Sequence, residues 1–326
     1  MKKITAFHFV IIGFLALAFI LAFYASFAID KISLPALMGK KFDGRDLKLG
    51  LVKENNRYFT KYSVSYMSGN LRITGIMDVP KGEGPFPVLV LCHGYFDPKV
   101  YWNGRGLLRE QNYLASRGYV VLHTDYRNYN GSDKDPDNDK NLHFGYTEDA
   151  INAVYAVKES GLKFLDKQNI GMFGHSLGGG VCLNVMVTKP GLVKAYVLYS
   201  PISDDFIKNY NRWIARTVPN EEKFGTPSAL RKEFGSPETN PDFWRNISAK
   251  NFLGNVTEPV IVNVGTSDKV VPPAWADDLI KDFNAHGKGG MVTLYLYEGD
   301  HHEFVPKWDL FMEHSVKFFD KYLKAR

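Results

Sequence analysis

Asn169-Ile170-Gly171-Met172-Phe173-Gly174-His175-Ser176-Leu177-Gly178-Gly179-Gly180 is the stretch whose reading decides the fold. Its first five residues are a short apolar run that reads as a buried strand. Gly174 to Gly178 then fits Gly-x-Ser-x-Gly, and Val181 to Val187 reads as a helix. Strand, sharp turn and helix are the context in which this pentapeptide forms a nucleophile elbow. The residue types follow from the geometry. A serine on a strained turn needs neighbours two positions away that lack side chains, so that the backbones can pass. The helix behind it turns free N–H groups and a positive dipole end toward the place where an oxyanion would develop. Taken alone, the pentapeptide also describes a glycine-rich turn carrying a surface serine. The rest of the chain has to separate the two.

Outward from the elbow, strands and helices alternate. Pro87 to Cys92 is a continuous apolar run, as expected of a parallel strand covered on both faces, and Tyr119 to Thr124 reads as another buried strand. Lys194 to Tyr199, Pro259 to Val264 and Met291 to Tyr297 read likewise. Leu107 to Ser116, Thr147 to Glu159, Pro272 to Phe283 and Lys307 to Leu323 read as helices. Tyr58 to Tyr66 and Leu71 to Val79 flank Ser68-Gly69-Asn70 as an antiparallel hairpin. This rhythm predicts an α/β protein with an open, mostly parallel twisted sheet and helices on both faces. One stretch breaks it. Residues 202 to 256 are too long for one crossover and carry Phe206, Tyr210, Trp213, Phe224, Phe234, Phe243 and Trp244. Their position predicts a helical lid or substrate wall, with surface padding as the plain alternative.

Catalytic groups in open parallel sheets sit at the carboxyl ends of strands. Two such ends carry suitable chemistry. Gly265-Thr266-Ser267-Asp268 supplies a carboxylate that would orient an imidazole. Tyr297-Glu298-Gly299-Asp300-His301-His302-Glu303-Phe304 supplies a histidine to remove and return the serine proton. By spacing alone, His301 and His302 both fit. An oxyanion hole needs two backbone donors: the N–H of Leu177, just after the serine, and one from the loop after an earlier strand, for which Cys92-His93-Gly94-Tyr95-Phe96 is the candidate.

The order Ser, Asp, His, the elbow, Gly-x-x-Asp-x-x-Val-Pro and Tyr-x-Gly-x-x-His-x-Phe resemble the α/β-hydrolase superfamily. That resemblance selects His302 as the base and gives the second oxyanion N–H to Tyr95, leaving His93 as a structural turn residue. Within the superfamily the chain is most similar to the catalytic domain of the prolyl oligopeptidase family. The residues that carry this are Asp125-Tyr126-Arg127-Asn128-Tyr129-Asn130-Gly131-Ser132, Gly235-Ser236-Pro237-Glu238 through Ser248, and Pro259 to Pro272. The resemblance implies a hydrolase cleaving esters or amides. That family's peptidases place a β-propeller before the catalytic domain. About 60 residues between the N-terminal apolar run and the first sheet strands are too few for one, which moves the expectation toward an esterase.

The 326 residues, 45% of them hydrophobic, can build a sizeable core. The net charge of +5 is spread along the chain, so no basic block marks a nucleic-acid partner. Two cysteines, Cys92 and Cys182, read as buried hydrophobes and exclude a disulfide framework. No Gly-x-Gly-x-x-Gly or Walker pattern follows a strand, so no cofactor is expected. Asp137, Asp139, Asn141 and Glu148 echo a calcium loop, but its required sixth-position glycine is Leu142, so no metal is expected. Met1-Lys2-Lys3 precedes an apolar run from Ile4 to Ile29, long enough to span a bilayer. Residues 1–29 are therefore expected to be a membrane anchor, or a secretion signal if cleaved after Ala28, with the catalytic domain outside the cytoplasm. Residues 30–57 read as a linker with a short helix, and 58–326 as the catalytic domain. The expectation is a serine hydrolase with Ser176, Asp268 and His302 as triad and Tyr95 and Leu177 as oxyanion donors. A carboxylesterase-like enzyme is preferred, a serine peptidase is the alternative, and a hydrolase-fold binding module without catalysis is the rival of another class.

Overall fold

Nine strands join into one sheet, in the order β1-β2-β3-β5-β4-β6-β7-β8-β9, in the computed structural model, which describes residues 32–215 and 232–324. The strands are β1 (Arg45–Asn55), β2 (Phe59–Ser68), β3 (Leu71–Pro80), β4 (Phe86–Cys92), β5 (Val120–Thr124), β6 (Leu165–His175), β7 (Tyr196–Tyr199), β8 (Val260–Gly265) and β9 (Val292–Tyr297). β1, β2 and β3 run antiparallel at one edge, and β3 meets β5 antiparallel. From β5 through β9 every pairing is parallel. The helices are α1 (Leu34–Gly39), α2 (Leu108–Ala115), α3 (Phe144–Glu159), α4 (Leu177–Thr188), α5 (Phe206–Asn209), α6 (Pro241–Asn246), α7 (Ala274–Ala285) and α8 (Trp308–Phe319).

Side chains alternate across the pleat, and each central strand feeds two cores. Val88 and Val90 of β4 pack with Ile151 and Val154 of α3, Val185 of α4 and Leu279 of α7. Leu89 and Leu91 pack on the other side with Leu114 of α2 and Phe311 and Phe319 of α8. Strands buried on both faces need no polar alternation, so β4 reads as an unbroken apolar run, and β5 is buried throughout although it ends in His123 and Thr124. Helix α4 is apolar all round because it is enclosed all round, with only Leu177 and Asn184 partly exposed.

Two sequence expectations are revised. Residues 45–55, read as linker, form β1 and extend the sheet. Its outer half is exposed, with Leu51 at 74% and Val52 at 56%, so no buried face marks it in the sequence. The residues between α1 and β4 thus enter the same sheet as the elbow. The elbow strand also begins earlier than its apolar run, at Leu165. Among the described residues no helix is long and apolar enough to cross a membrane. The expected anchor at 1–29 lies outside the described residues, as do 216–231 of the insertion and Phe224 within them.

The sheet brings the carboxyl ends of β4, β6, β7, β8 and β9 to one side. There β6 delivers Ser176, β8 the loop with Asp268, β9 the loop with His302, and β4 the loop with Tyr95.

Candidate active site

Ser176 occupies φ 55° and ψ −119°, a region L-residues avoid at a cost of roughly 1–3 kcal/mol. Its neighbours hold it there. The Ser176 N–H donates to the Tyr199 carbonyl (2.9 Å), and the Ser176 carbonyl accepts from Gly179 (2.9 Å), Ile202 (3.1 Å) and Gly180 (3.3 Å). The glycines of the pentapeptide meet the expected requirement. A Cβ on Gly174 would lie 2.3 Å from the Gly178 carbonyl oxygen, and one on Gly178 would lie 1.9 Å from that of Cys92. Leu177 is the first residue of α4, where a backbone N–H has no acceptor within the helix. Gly94 lies directly against the serine, since a Cβ there would sit 3.2 Å from Ser176 Cβ. The Tyr95 loop and the Leu177 N–H therefore flank the same side chain.

The two adjacent histidines make different contacts. His302 Nδ1 lies 2.7 Å from Asp268 Oδ2, whereas His301 Nδ1 faces the Ser267 carbonyl at 3.0 Å and its side chain is exposed. Asp268 is buried, and its other oxygen, Oδ1, accepts the N–H groups of Val270 (2.8 Å) and Val271 (2.9 Å). Burial pushes its carboxyl up. The hydrogen bond and charge of His302, with the two backbone donors, outweigh that and hold it below the usual carboxylate range. The carboxylate is thus kept ionised and aimed at one imidazole nitrogen.

Ser176, Leu177, Tyr95 and His302 line one open pocket of about 440 Å³. Its walls are largely apolar: Phe96, Leu142, Ile202, Phe206, Trp213, Ile214 and Val270. Four of these, Ile202, Phe206, Trp213 and Ile214, come from the insertion, which therefore walls this pocket. Four other described aromatics of the insertion are not among the pocket's lining: Phe234, Phe243, Trp244 and Tyr210 are buried together as packing. Among the described residues that line the pocket, Glu303 is the one carboxylate and there is no Lys or Arg.

His93 is a structural residue as expected, buried between the Gly94 carbonyl (2.6 Å) and the Asp125 carbonyl (3.3 Å). Asp125 in turn anchors the same loop through Tyr101 Oη (2.7 Å), Asn103 Nδ2 (2.6 Å) and the Gly104 N–H (2.9 Å). Arg127 ties Asp135, Glu148 and Asp149, so part of the acidic loop is an ion-pair network. Two residues escaped the sequence reading. The His175 ring lies 4.7 Å from that of His302, tilted by 42°, and its Nε2 meets the His302 carbonyl at 3.3 Å; burial first, then the His302 charge, lowers it to about 3. His143 lines the pocket with Nε2 on Asp139 (2.9 Å). Neither lies at a diagnostic spacing, so nothing in the sequence marks them.

A family model described as the alpha/beta hydrolase fold matches residues 87–224. Human acyl-coenzyme A thioesterase 1 is 28% identical over 45% of this chain and 31% of its own length. Dipeptidyl aminopeptidase BIII of Pseudoxanthomonas mexicana is 25% identical over 69% of this chain and 31% of its own. The chain thus matches about a third of the length of these curated relatives. Among solved structures, an acetyl xylan esterase from Paenibacillus sp. R4 superposes with a TM-score of 0.64 at 20% identity, covering 89% of this chain and 92% of that one. At that identity the likeness speaks for the fold. Sheet order, strained elbow and family match agree on the α/β-hydrolase fold.

Proposed function

We propose that the protein is a serine hydrolase acting through an acyl-enzyme, with a carboxylesterase as the preferred reading. The observation that carries it is the strained Ser176 sharing an apolar pocket with His302, itself hydrogen-bonded to a buried Asp268. In this reading His302 Nε2 takes the Ser176 proton as Oγ bonds to the substrate carbonyl carbon, and the carbonyl electrons move onto oxygen. The N–H groups of Leu177 and Tyr95 meet that oxyanion. The tetrahedral adduct collapses, the leaving group departs with the proton from His302, and water repeats the sequence to release the acid. Asp268 stays ionised and holds the imidazole. An apolar wall with no cation among its described residues suits a neutral acyl or aryl ester.

A serine peptidase is the second reading, favoured by the match to a dipeptidyl aminopeptidase over 69% of the chain. A rate panel on the full chain, with short and medium acyl esters beside aminoacyl and prolyl amides, separates the two. Ester cleavage should dominate, and Ser176→Ala should lose on the order of a million-fold. An unchanged rate in that variant sinks the serine reading, while faster amide cleavage transfers it to the peptidase. Residues 4–29 supply the proposed anchor. Carbonate extraction of membranes should leave the protein in the pellet, and protease added outside intact cells should reach the catalytic domain; release into the supernatant refutes the anchor.

A further inference from the structure

Arg212 sits in the insertion, on a π-helical turn at Tyr210–Ile214. It donates from Nε to the Val270 carbonyl and from Nη2 to the Lys269 carbonyl, both at 2.7 Å. Those carbonyls belong to the two peptide groups whose opposite ends hold Asp268. The Lys269–Val270 peptide gives its N–H to Asp268 Oδ1 at 2.8 Å, and the Val270–Val271 peptide gives its N–H to the same oxygen at 2.9 Å. Two aligned peptide dipoles therefore run between a guanidinium and a carboxylate. A donor on a carbonyl strengthens the N–H at the other end of that peptide, and Arg presents several donors in a planar fork.

The same arm reaches the pocket. Phe206, Asn209, Trp213 and Ile214 line it. Trp213 packs edge-on against Trp275 of α7 at 5.5 Å, and Lys208 pairs with Asp278 of α7 at 2.7 Å. The arm that walls the substrate pocket is thus seated on the loop that carries the acid.

We propose that Arg212 is a positioning residue that couples the seating of the insertion to the alignment of Asp268 with His302, an inference that rests on the serine-hydrolase reading above. A substrate that packs against the arm stabilises the seated state and firms the acid loop. The test uses full-length protein with Arg212→Met and Arg212→Lys, assayed on 4-nitrophenyl acetate, too short to need the arm, and on the octanoate. Arg212→Met should lower kcat roughly tenfold on both esters, with KM for acetate changed less than about twofold. Arg212→Lys, which keeps the charge and loses the fork, should recover part of that loss. In an Asp268→Asn background, Arg212→Met should remove little further rate, because its effect passes through Asp268.

Loss confined to KM of the octanoate overturns the proposal and makes the arm a wall only. An undiminished penalty in the Asp268→Asn background also overturns it. If the Met variant melts before assay temperature, the Lys variant carries the same comparisons. A dead Ser176→Ala beside unaffected Arg212 variants defeats this inference alone, whereas an active Ser176→Ala removes the reading beneath it.

Discussion

Gly178→Ala tests how closely two backbones pass beneath Ser176, the proposed nucleophile. A Cβ at Gly178 would sit 1.9 Å from the Cys92 oxygen, 2.4 Å from its carbonyl carbon and 2.7 Å from the His93 oxygen. Real Cβ contacts essentially never fall below 3.0 Å, so about 1 Å of separation must be recovered. The obstacles are backbone atoms, which cannot rotate aside. β4 is clamped between β5 and β6, and α4 is enclosed on nearly every side. The strain therefore falls on the loop from His93 to Tyr95 and on Leu177, the two proposed sources of oxyanion donors. Overpacking of this kind costs about 1–3 kcal/mol. At roughly 2–4 °C per kcal/mol for a large domain, the melting temperature should fall by about 2–12 °C. Displacing one donor should lower kcat on a short ester by about 10²–10³-fold. Scanning calorimetry and steady-state kinetics on the full chain measure both. Gly180→Ala is the control: its Cβ would meet only the Ile202 side chain, at 2.5 and 2.6 Å, which can turn away. A Gly178→Ala protein with wild-type melting and wild-type kcat would show that the approach is not tight and that the glycine has no steric role.

Two further predictions concern the insertion. Burial first, then the neighbouring charge of Asp282, pushes Asp204 up to about 7 against the opposing pull of Lys250 and Lys208. A carboxyl raised in the folded state stabilises the fold fully below its unfolded value near 4, and that contribution disappears as pH rises through 7. Relative to Asp204→Asn, the wild type should therefore lose stability between about pH 4 and pH 7, a slope that denaturant titrations across that range can read; a flat difference refutes the assignment. Phe206→Ala removes an apolar face of the pocket and should lower kcat/KM on the octanoate by about tenfold while sparing the acetate. Equal losses on both esters would remove Phe206 from the acyl wall.

The chemistry-bearing loops were legible because their signals are local. An elbow is written in five consecutive residues, and Asp268 and His302 each follow a strand that announces itself by apolar content. What was not legible is relational. His301 and His302 are one residue apart, and only the direction in which the β9 loop turns decides that His302 meets Asp268. β1 carries Arg45, Asp46, Lys48, Lys53 and Glu54, and as an edge strand with an exposed outer half it has no reason to alternate. The aromatic residues of the insertion look alike in sequence, yet Phe206 and Trp213 face the pocket while Phe243 and Trp244 are packing. Arg212 binds carbonyl oxygens, which every residue possesses, so no partner identity could reveal it.

The third donor on the Ser176 carbonyl is the Ile202 N–H, and Ile202 is where the insertion begins. The stretch returns to the sheet at Val256, which is fully buried just before β8. Both posts are thus fixed by the sheet, one of them by the nucleophile's own backbone. The chain strung between them can change length, sequence and shape without moving the backbone of Ser176, provided the contacts that Arg212 makes to the Asp268 loop are kept. The architecture resembles a socket with a replaceable fitting: divergence or deliberate grafting between these posts would reshape the pocket wall, and under the reading proposed above it would trade one substrate range for another as long as the Arg212 contacts are rebuilt.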